Sequence, residues 1–194
     1  MELPDGDLLI HAGDLTYQGN ITEVAQESKA LNKLISKYTR GIILTAGNHD
    51  LMAERNPQLF RDMMGDVKVL IHESAEIEGI KIFGSPYTPW FHNWAFNVDR
   101  AELNSYWDQI PTDTNILVTH GPPMGILDMT PRGEAVGCSD LYIKTQSLPD
   151  LSHHIFGHIH EGYGTKQVGK VTYINASSCN GQYKPLNKPI VINA

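Results

Sequence analysis

Asp, Asn and His recur in this chain inside four short blocks: Gly13-Asp14, Gly47-Asn48-His49-Asp50, Thr119-His120-Gly121 and Gly157-His158-Ile159-His160. Carboxylate, amide oxygen and imidazole are the hard and borderline donors that suit Zn, Mn or Fe. One such block means little, because a Gly-rich turn after a strand is common. Here each block follows a short apolar run, and the run reads as a strand. In this order they predict a metal site assembled along one edge of a sheet. Such a site supports metal-assisted hydrolysis at phosphorus.

The elements that must position these residues follow from the hydrophobic pattern. Leu8-Leu9-Ile10-His11-Ala12 and Ile42-Ile43-Leu44 read as buried strands, bounded by Gly and Asp. Between them, Asn20-Ile21-Thr22-Glu23 has the form of a capping box, with Asn20 as N-cap and Glu23 reaching back. Val24, Leu31, Leu34, Ile35 and Tyr38 then recur at helical spacing until Gly41. This strand–helix–strand alternation predicts an α/β protein. Further along, Gln58 to Met64 and Ser139 to Ser147 read as helices. Asp99-Arg100-Ala101-Glu102 opens a helix with Leu103, Tyr106, Trp107 and Ile110 on one face. Val67 to Ile71, Ile116 to Val118, Ile155-Phe156, Val171 to Ile174 and Ile190 to Ile192 read as strands, and Ala75 to Phe83 as a hairpin turning at Glu78-Gly79. In α/β sheets, ligands gather outside the carboxyl ends of strands, where loops hang on a rigid frame.

At 194 residues the chain is expected to form a single domain over 1–194, without repeat, low-complexity segment or linker. It is 41% hydrophobic and 19% charged, as an ordinary soluble globular protein is. The formal net charge of −7, with no basic cluster, argues against a nucleic-acid duplex or an anionic membrane as partner. Cys138 and Cys179 lie far apart, which fits a reducing compartment. No signal-peptide pattern and no membrane-length apolar run is present, so the expected location is cytoplasmic.

Taken with longer strings, the blocks resemble the calcineurin-like metallophosphoesterase superfamily. Its motifs are D-x-H, G-D, G-N-H-D/E, a single His and G-H-x-H, and four of these five stand here. The strings are Leu8–Leu15 (LLIHAGDL), Gly84–Asn97 (GSPYTPWFHNWAFN), Thr119–Asp128 (THGPPMGILD), Phe156–Gly164 (FGHIHEGYG) and the closing Asn175–Asn193. They look like the branch of metallophosphoesterase-domain-containing proteins related to class III cyclic-nucleotide phosphodiesterases. The resemblance implies a two-sheet αββα sandwich. It also implies two divalent metals, Mn, Fe or Zn, with Asp14 bridging them. Asn48, His120 and His158 would complete the second site, and His160 would serve the first. A shared, activated water would attack phosphorus in line with the leaving group. His49 would stabilise the phosphoryl charge and protonate the leaving oxygen, and Asp50 would orient His49.

The D-x-H block is not among these residues. The expectation is therefore a sandwich lacking its first strand, with one metal or none, and with an open sheet edge that a second copy of the chain could pair with. The expected substrate is a small phosphodiester or nucleotide, a cyclic nucleotide or an aryl phosphodiester. The alternative is a nucleotide- or partner-binding protein of the same fold with little or no turnover.

The remaining candidates carry two readings each. His158 and His160 alternate along a strand-like segment, which would turn both rings to one side. Trp90 and His92 lie in an aromatic stretch that either lines a substrate pocket or packs as a loop core. Arg132 either meets a phosphate or is a solvated surface residue. His11 falls within a buried-strand pattern and reads as a core residue. His72, His153 and His154 read as structural or exposed.

Overall fold

The structure, a computed structural model, describes residues 2–193. A first sheet holds three parallel strands in the order β1-β2-β3: β1 Leu9–His11, β2 Ile42–Thr45 and β3 Lys68–Leu70. A second holds six strands in the order β10-β11-β9-β8-β5-β4. These are β4 Glu73–Ile77, β5 Ile80–Ser85, β8 Ile116–Thr119, β9 His153–Phe156, β10 Gly164–Val168 and β11 Val171–Asn175. Its centre is parallel, and each edge is an antiparallel hairpin partner. A small parallel pair, β6 Thr88–Pro89 and β7 Asn97–Val98, closes the base of the aromatic loop.

The two larger sheets face each other. Ile43 and Leu70 pack on Ile82, Ile116, Val118, Ile155 and Ile174 between them. The outer face of the first sheet is covered by α1 Ile21–Asn32, α2 Leu51–Arg55 and α3 Pro57–Met64, which bring Val24, Ala53, Phe60 and Met64 onto Leu44 and Val69. The outer face of the second sheet is covered by α4 Leu103–Trp107 and α5 Ser139–Ser147, with Trp107 and Leu141 against Leu117, Phe156 and Tyr173. Strands buried on both faces need apolar residues on both, which is why β2 and β8 read as unbroken apolar runs. The result is the expected αββα sandwich. No helix among the described residues is long and apolar enough to cross a membrane.

Local chemistry sets several boundaries. Asn20 Oδ1 accepts the amides of Thr22 and Glu23 at 3.1 and 3.0 Å and so starts α1. The Glu23 carboxylate accepts the amides of Gln18 and Gly19, not that of Asn20, so the expected capping box is displaced outward. Ile35 lies in a separate 3-10 turn after α1, and Tyr38 follows it. The hairpin between β4 and β5 forms as expected, with positive φ at Glu78 (50°) and Gly79 (83°). Ile190 to Ile192 is not a strand. It keeps a two-residue alternation, Ile190 and Ile192 inward and Val191 64% exposed, but Pro189 removes a backbone donor and no ladder forms.

β1 pairs with β2 on one side and with no strand on the other among the described residues. Beside that free edge runs a cavity of about 1750 Å³, lined by Ile10, Ile80, Ile116, Ile155, Ile174 and Ile192. The same cavity continues to the loops that carry Asp14, His49 and His158.

Candidate functional site

The loops after β1 and β2 close directly on each other. Gly13, at φ +99°, and Asp14, at φ +54°, turn the chain so that the carboxylate lies over the next loop, where Asp14 Oδ1 accepts the His49 amide at 2.9 Å. Gly47 lets the loops approach, since a Cβ there would collide with the Asp14 amide and carboxylate and with the His120 ring. From the second sheet, β8 ends at His120, whose amide is held by the Ser85 carbonyl at 3.1 Å. β9 ends just before His158, a residue in the left-handed region at φ +67°. Strained residues of this kind cluster where a side chain must be aimed.

The donor atoms of Asp14, His120 and His158 lie within 4.8 Å of one another. Asn48, 2% exposed, adds Oδ1 at 2.8 Å from His120 Nε2. Asp14 Oδ2 is 3.2 Å from the same nitrogen. His120 Nδ1 donates to the Ala12 carbonyl at 2.9 Å, so a neutral ring turns its Nε2 lone pair toward two further acceptors. Three acceptors facing one point make a place for a cation, a proton or a metal ion. The donor set fits a divalent metal of the Mn, Fe or Zn kind.

The electrostatics point the same way. Burial works against charge on His120, but the Asp14 carboxylate and the hydrogen bonds to Asp14 and Ala12 outweigh it and raise its pKa. Burial also opposes ionisation of Asp14, yet His120, then His158 and the His49 amide, hold it well below the usual carboxylate range. Burial, helped by His120, lowers the His158 pKa to about 3, so its ring is neutral and free to ligate.

His49 presents a different geometry. Its Nδ1 lies 2.8 Å from the Tyr17 carbonyl, and it stands clear of the metal group. Asp50 does not orient it. The buried Asp50 carboxylate accepts the amides of Gly47 (2.8 Å), Leu15 (3.2 Å) and Thr16 (2.9 Å) and the Thr16 hydroxyl (2.7 Å). Asp50 therefore ties the Asp14 loop to the Asn48 loop, and the Tyr17 carbonyl takes the orienting role expected of it. Burial, then Asp14, pushes the Asp50 pKa up, against those hydrogen bonds.

The strand alternation expected of His158 and His160 is not formed. After Phe156 the strand ends, and His160 opens a 3-10 turn (His160–Gly162), with its ring against Tyr183 at 4.9 Å. It lines the cavity but lies outside the metal group. Trp90 (60% exposed) and His92 also line the cavity, and Phe91 sets its ring 5.2 Å from that of His158. Arg132 is exposed and away from the cavity wall; Arg100, bound to the carbonyls of Val136 and Gly137, stands there instead. His11 is no ordinary core residue: half-buried in the cavity wall, it feels Asp14 and His120, and desolvation pulls its pKa down to about 4. Tyr17 and Trp94, both at the His49 ring, had no spacing signal tying them to it.

Comparison with known proteins places this geometry. The family model of calcineurin-like phosphoesterases matches residues 2–162. Metallophosphoesterase domain-containing protein 1 of Homo sapiens is 38% identical over 218 residues, covering 100% of this chain and 66% of the relative, and its Mus musculus counterpart matches equally. A UPF0046 protein of Caenorhabditis elegans is 35% identical over 204 residues, covering 97% of this chain and 68% of its own length. The chain thus spans about two thirds of the curated relatives it matches. A solved crystal structure superposes with a TM-score of 0.64 at 17% identity, over 88% of this chain and 79% of that one, a likeness of fold.

Proposed function

The chain belongs to the calcineurin-like phosphoesterase family, and on that premise we propose that it is a metal-dependent phosphodiesterase acting on cyclic nucleotides or aryl phosphodiesters. The observation that carries this reading is the convergence of Asp14, Asn48, His120 and His158 from four strand ends onto one point. A divalent metal held there would acidify a water and draw charge from the phosphoryl oxygens.

The chain's own residues supply the rest. His49 stands at the mouth of the site with Nδ1–H donated to the Tyr17 carbonyl. In the imidazolium, the proton on Nε2 is the one free to move. Passing it to the departing oxygen leaves the neutral Nδ1–H ring that this hydrogen bond favours. The phosphodiester takes up water: an aryl diester gives a phosphomonoester and a phenol, and a cyclic nucleotide opens to a single nucleoside monophosphate that carries the freed hydroxyl. The aromatic wall of Trp90 and Phe91 offers a flat apolar surface for a base or aryl group. The two free cysteines support a cytoplasmic location.

The test joins metal content to turnover. The purified chain should bind a divalent metal and hydrolyse bis(4-nitrophenyl) phosphate slowly. His49→Ala should keep the metal and lose rate, most for substrates with poor leaving groups, by up to about 10²-fold. Equal losses across a leaving-group series remove the acid role. Metal binding without any hydrolysis favours the alternative, a nucleotide- or partner-binding protein.

A further inference from the structure

His49 is bordered by two aromatic rings that the metal group does not use. The Tyr17 ring lies nearly parallel to it, at 5.5 Å and 19°. The Trp94 ring stands at 4.3 Å and 56°. Tyr17 is 66% exposed, so its ring contributes little to any core and covers mainly the imidazole. The backbones behind both rings are fixed to the site itself. Thr16, just before Tyr17, is bonded through its amide and hydroxyl to Asp50. Ala95, just after Trp94, donates its amide to the Asn48 carbonyl at 3.0 Å, and Phe96 donates to Glu54 at 2.6 Å. The segments bearing the rings are therefore tied to the loop that bears Asn48 and His49.

We propose that Tyr17 and Trp94 are positioning residues, which hold the His49 ring in the Nδ1–H tautomer with Nε2 turned toward the leaving group. The carbonyl of Tyr17 accepts only, so Nδ1 must carry hydrogen. Exposed neutral imidazole ordinarily favours hydrogen on the other nitrogen, and which one carries it is set by the partner of its neighbour. That single bond can be lost by a turn of χ2. Two rings against the imidazole leave it little room to turn, and a group held in reacting geometry acts far faster than one that must find it. The proposal rests on reading His49 as the acid of a phosphodiesterase.

The variants Tyr17→Ala and Trp94→Ala keep every backbone hydrogen bond and remove the rings. Two measurements apply. The first is ¹⁵N NMR of the His49 ring, assigned by its disappearance in His49→Gln. The parent should show hydrogen on Nδ1 alone, and each alanine variant a mixture of tautomers. The second is hydrolysis of paired phosphodiesters with alkyl and nitrophenyl leaving groups, at matched metal content. Each alanine variant should lose about ten-fold in kcat for the alkyl ester, with KM within about two-fold and little change for the nitrophenyl ester. Tyr17→Phe and Trp94→Phe should restore the loss. An unchanged tautomer in both alanine variants overturns the clamp. So does a rise in KM alone, which would make the rings a substrate surface. If the parent hydrolyses no phosphodiester, the proposed function fails by itself, and the NMR result still decides the clamp.

Discussion

His120 sits at the centre of the site, with the Ala12 carbonyl on one ring nitrogen and the Asp14 and Asn48 oxygens facing the other. Removing a ligand from such a group leaves the others facing one another without the ion that reconciles them. His120→Ala, His158→Ala and Asp14→Ala should each weaken Mn²⁺ affinity by more than about 100-fold in calorimetric titration, beyond the 10–100-fold cost of losing an outer partner. His72→Ala and His153→Ala should leave it unchanged. Normal affinity in His120→Ala would remove the assignment. At this scale the legible residues were those that the end of a strand places, such as His120 directly after β8 and Asp14 in the glycine turn that follows β1. Asp50 was misread because its four bonds reach back to Leu15 and Thr16 and to Gly47, contacts created by the fold. His160 departs from the strand alternation expected of it, because alternation holds only while a strand continues, and here it stops at Phe156.

Among the elements, β9 carries a hidden acid sensitivity. His154 is fully buried against Phe156 and Tyr173, and its Nε2 donates to the Thr119 hydroxyl at 2.8 Å. That hydroxyl already donates to Gly121, so His154 must act as the donor, and its Nδ1 has no partner. Burial drops its pKa from 6.5 to about 3. A lowered histidine pKa means that the unfolded chain binds the extra proton between those values. Stability is therefore full above pH 6.5 and falls as pH drops, by about 1.4 kcal/mol per unit for one such group. Urea melts from pH 8 to 5 should show this slope, with His11 and His158 adding to it. His154→Gln keeps a donor and cannot titrate, so its slope should be shallower by about one proton. An unchanged slope would mean that His154 is not buried as described. β9 was legible from Ile155 and Phe156, whereas His153 and His154 looked like a polar end. Only packing against β8 and β11 shows that His154 faces the core. The same limit applies to Ile190 to Ile192, whose alternation is real but whose backbone finds no ladder.

For the whole molecule, the αββα layering was readable because apolar runs alternate with amphipathic stretches, and Trp107 with Leu103 marks the face of α4 that meets the second sheet. The free edge of β1 and the cavity beside it belong to three-dimensional assembly. A strand laid along β1 would cover Ile10, Ile116 and Ile155. Extending the chain upstream by an apolar strand that carries Asp-x-His should raise metal stoichiometry toward two and also raise Tm. Mass spectrometry under native conditions and a thermal melt would read both. Tight binding of two ions by residues 1–194 alone would show that another residue completes the first site, and His11, whose ring feels the Asp14 charge, is the first to replace.

The four donors divide evenly: Asp14 and Asn48 hang from the first sheet, His120 and His158 from the second. An ion shared among them is a rivet through both plates of the sandwich, placed at the end where the interior stands open. Its removal should loosen the plates together. Chelation should speed hydrogen exchange in β1 and β9 alike and lower Tm. The stabilisation lost should be about 2.7 kcal/mol when the metal had been present at a hundred times its Kd. Faster exchange on one plate alone would mean that the ion is seated there and bridges nothing.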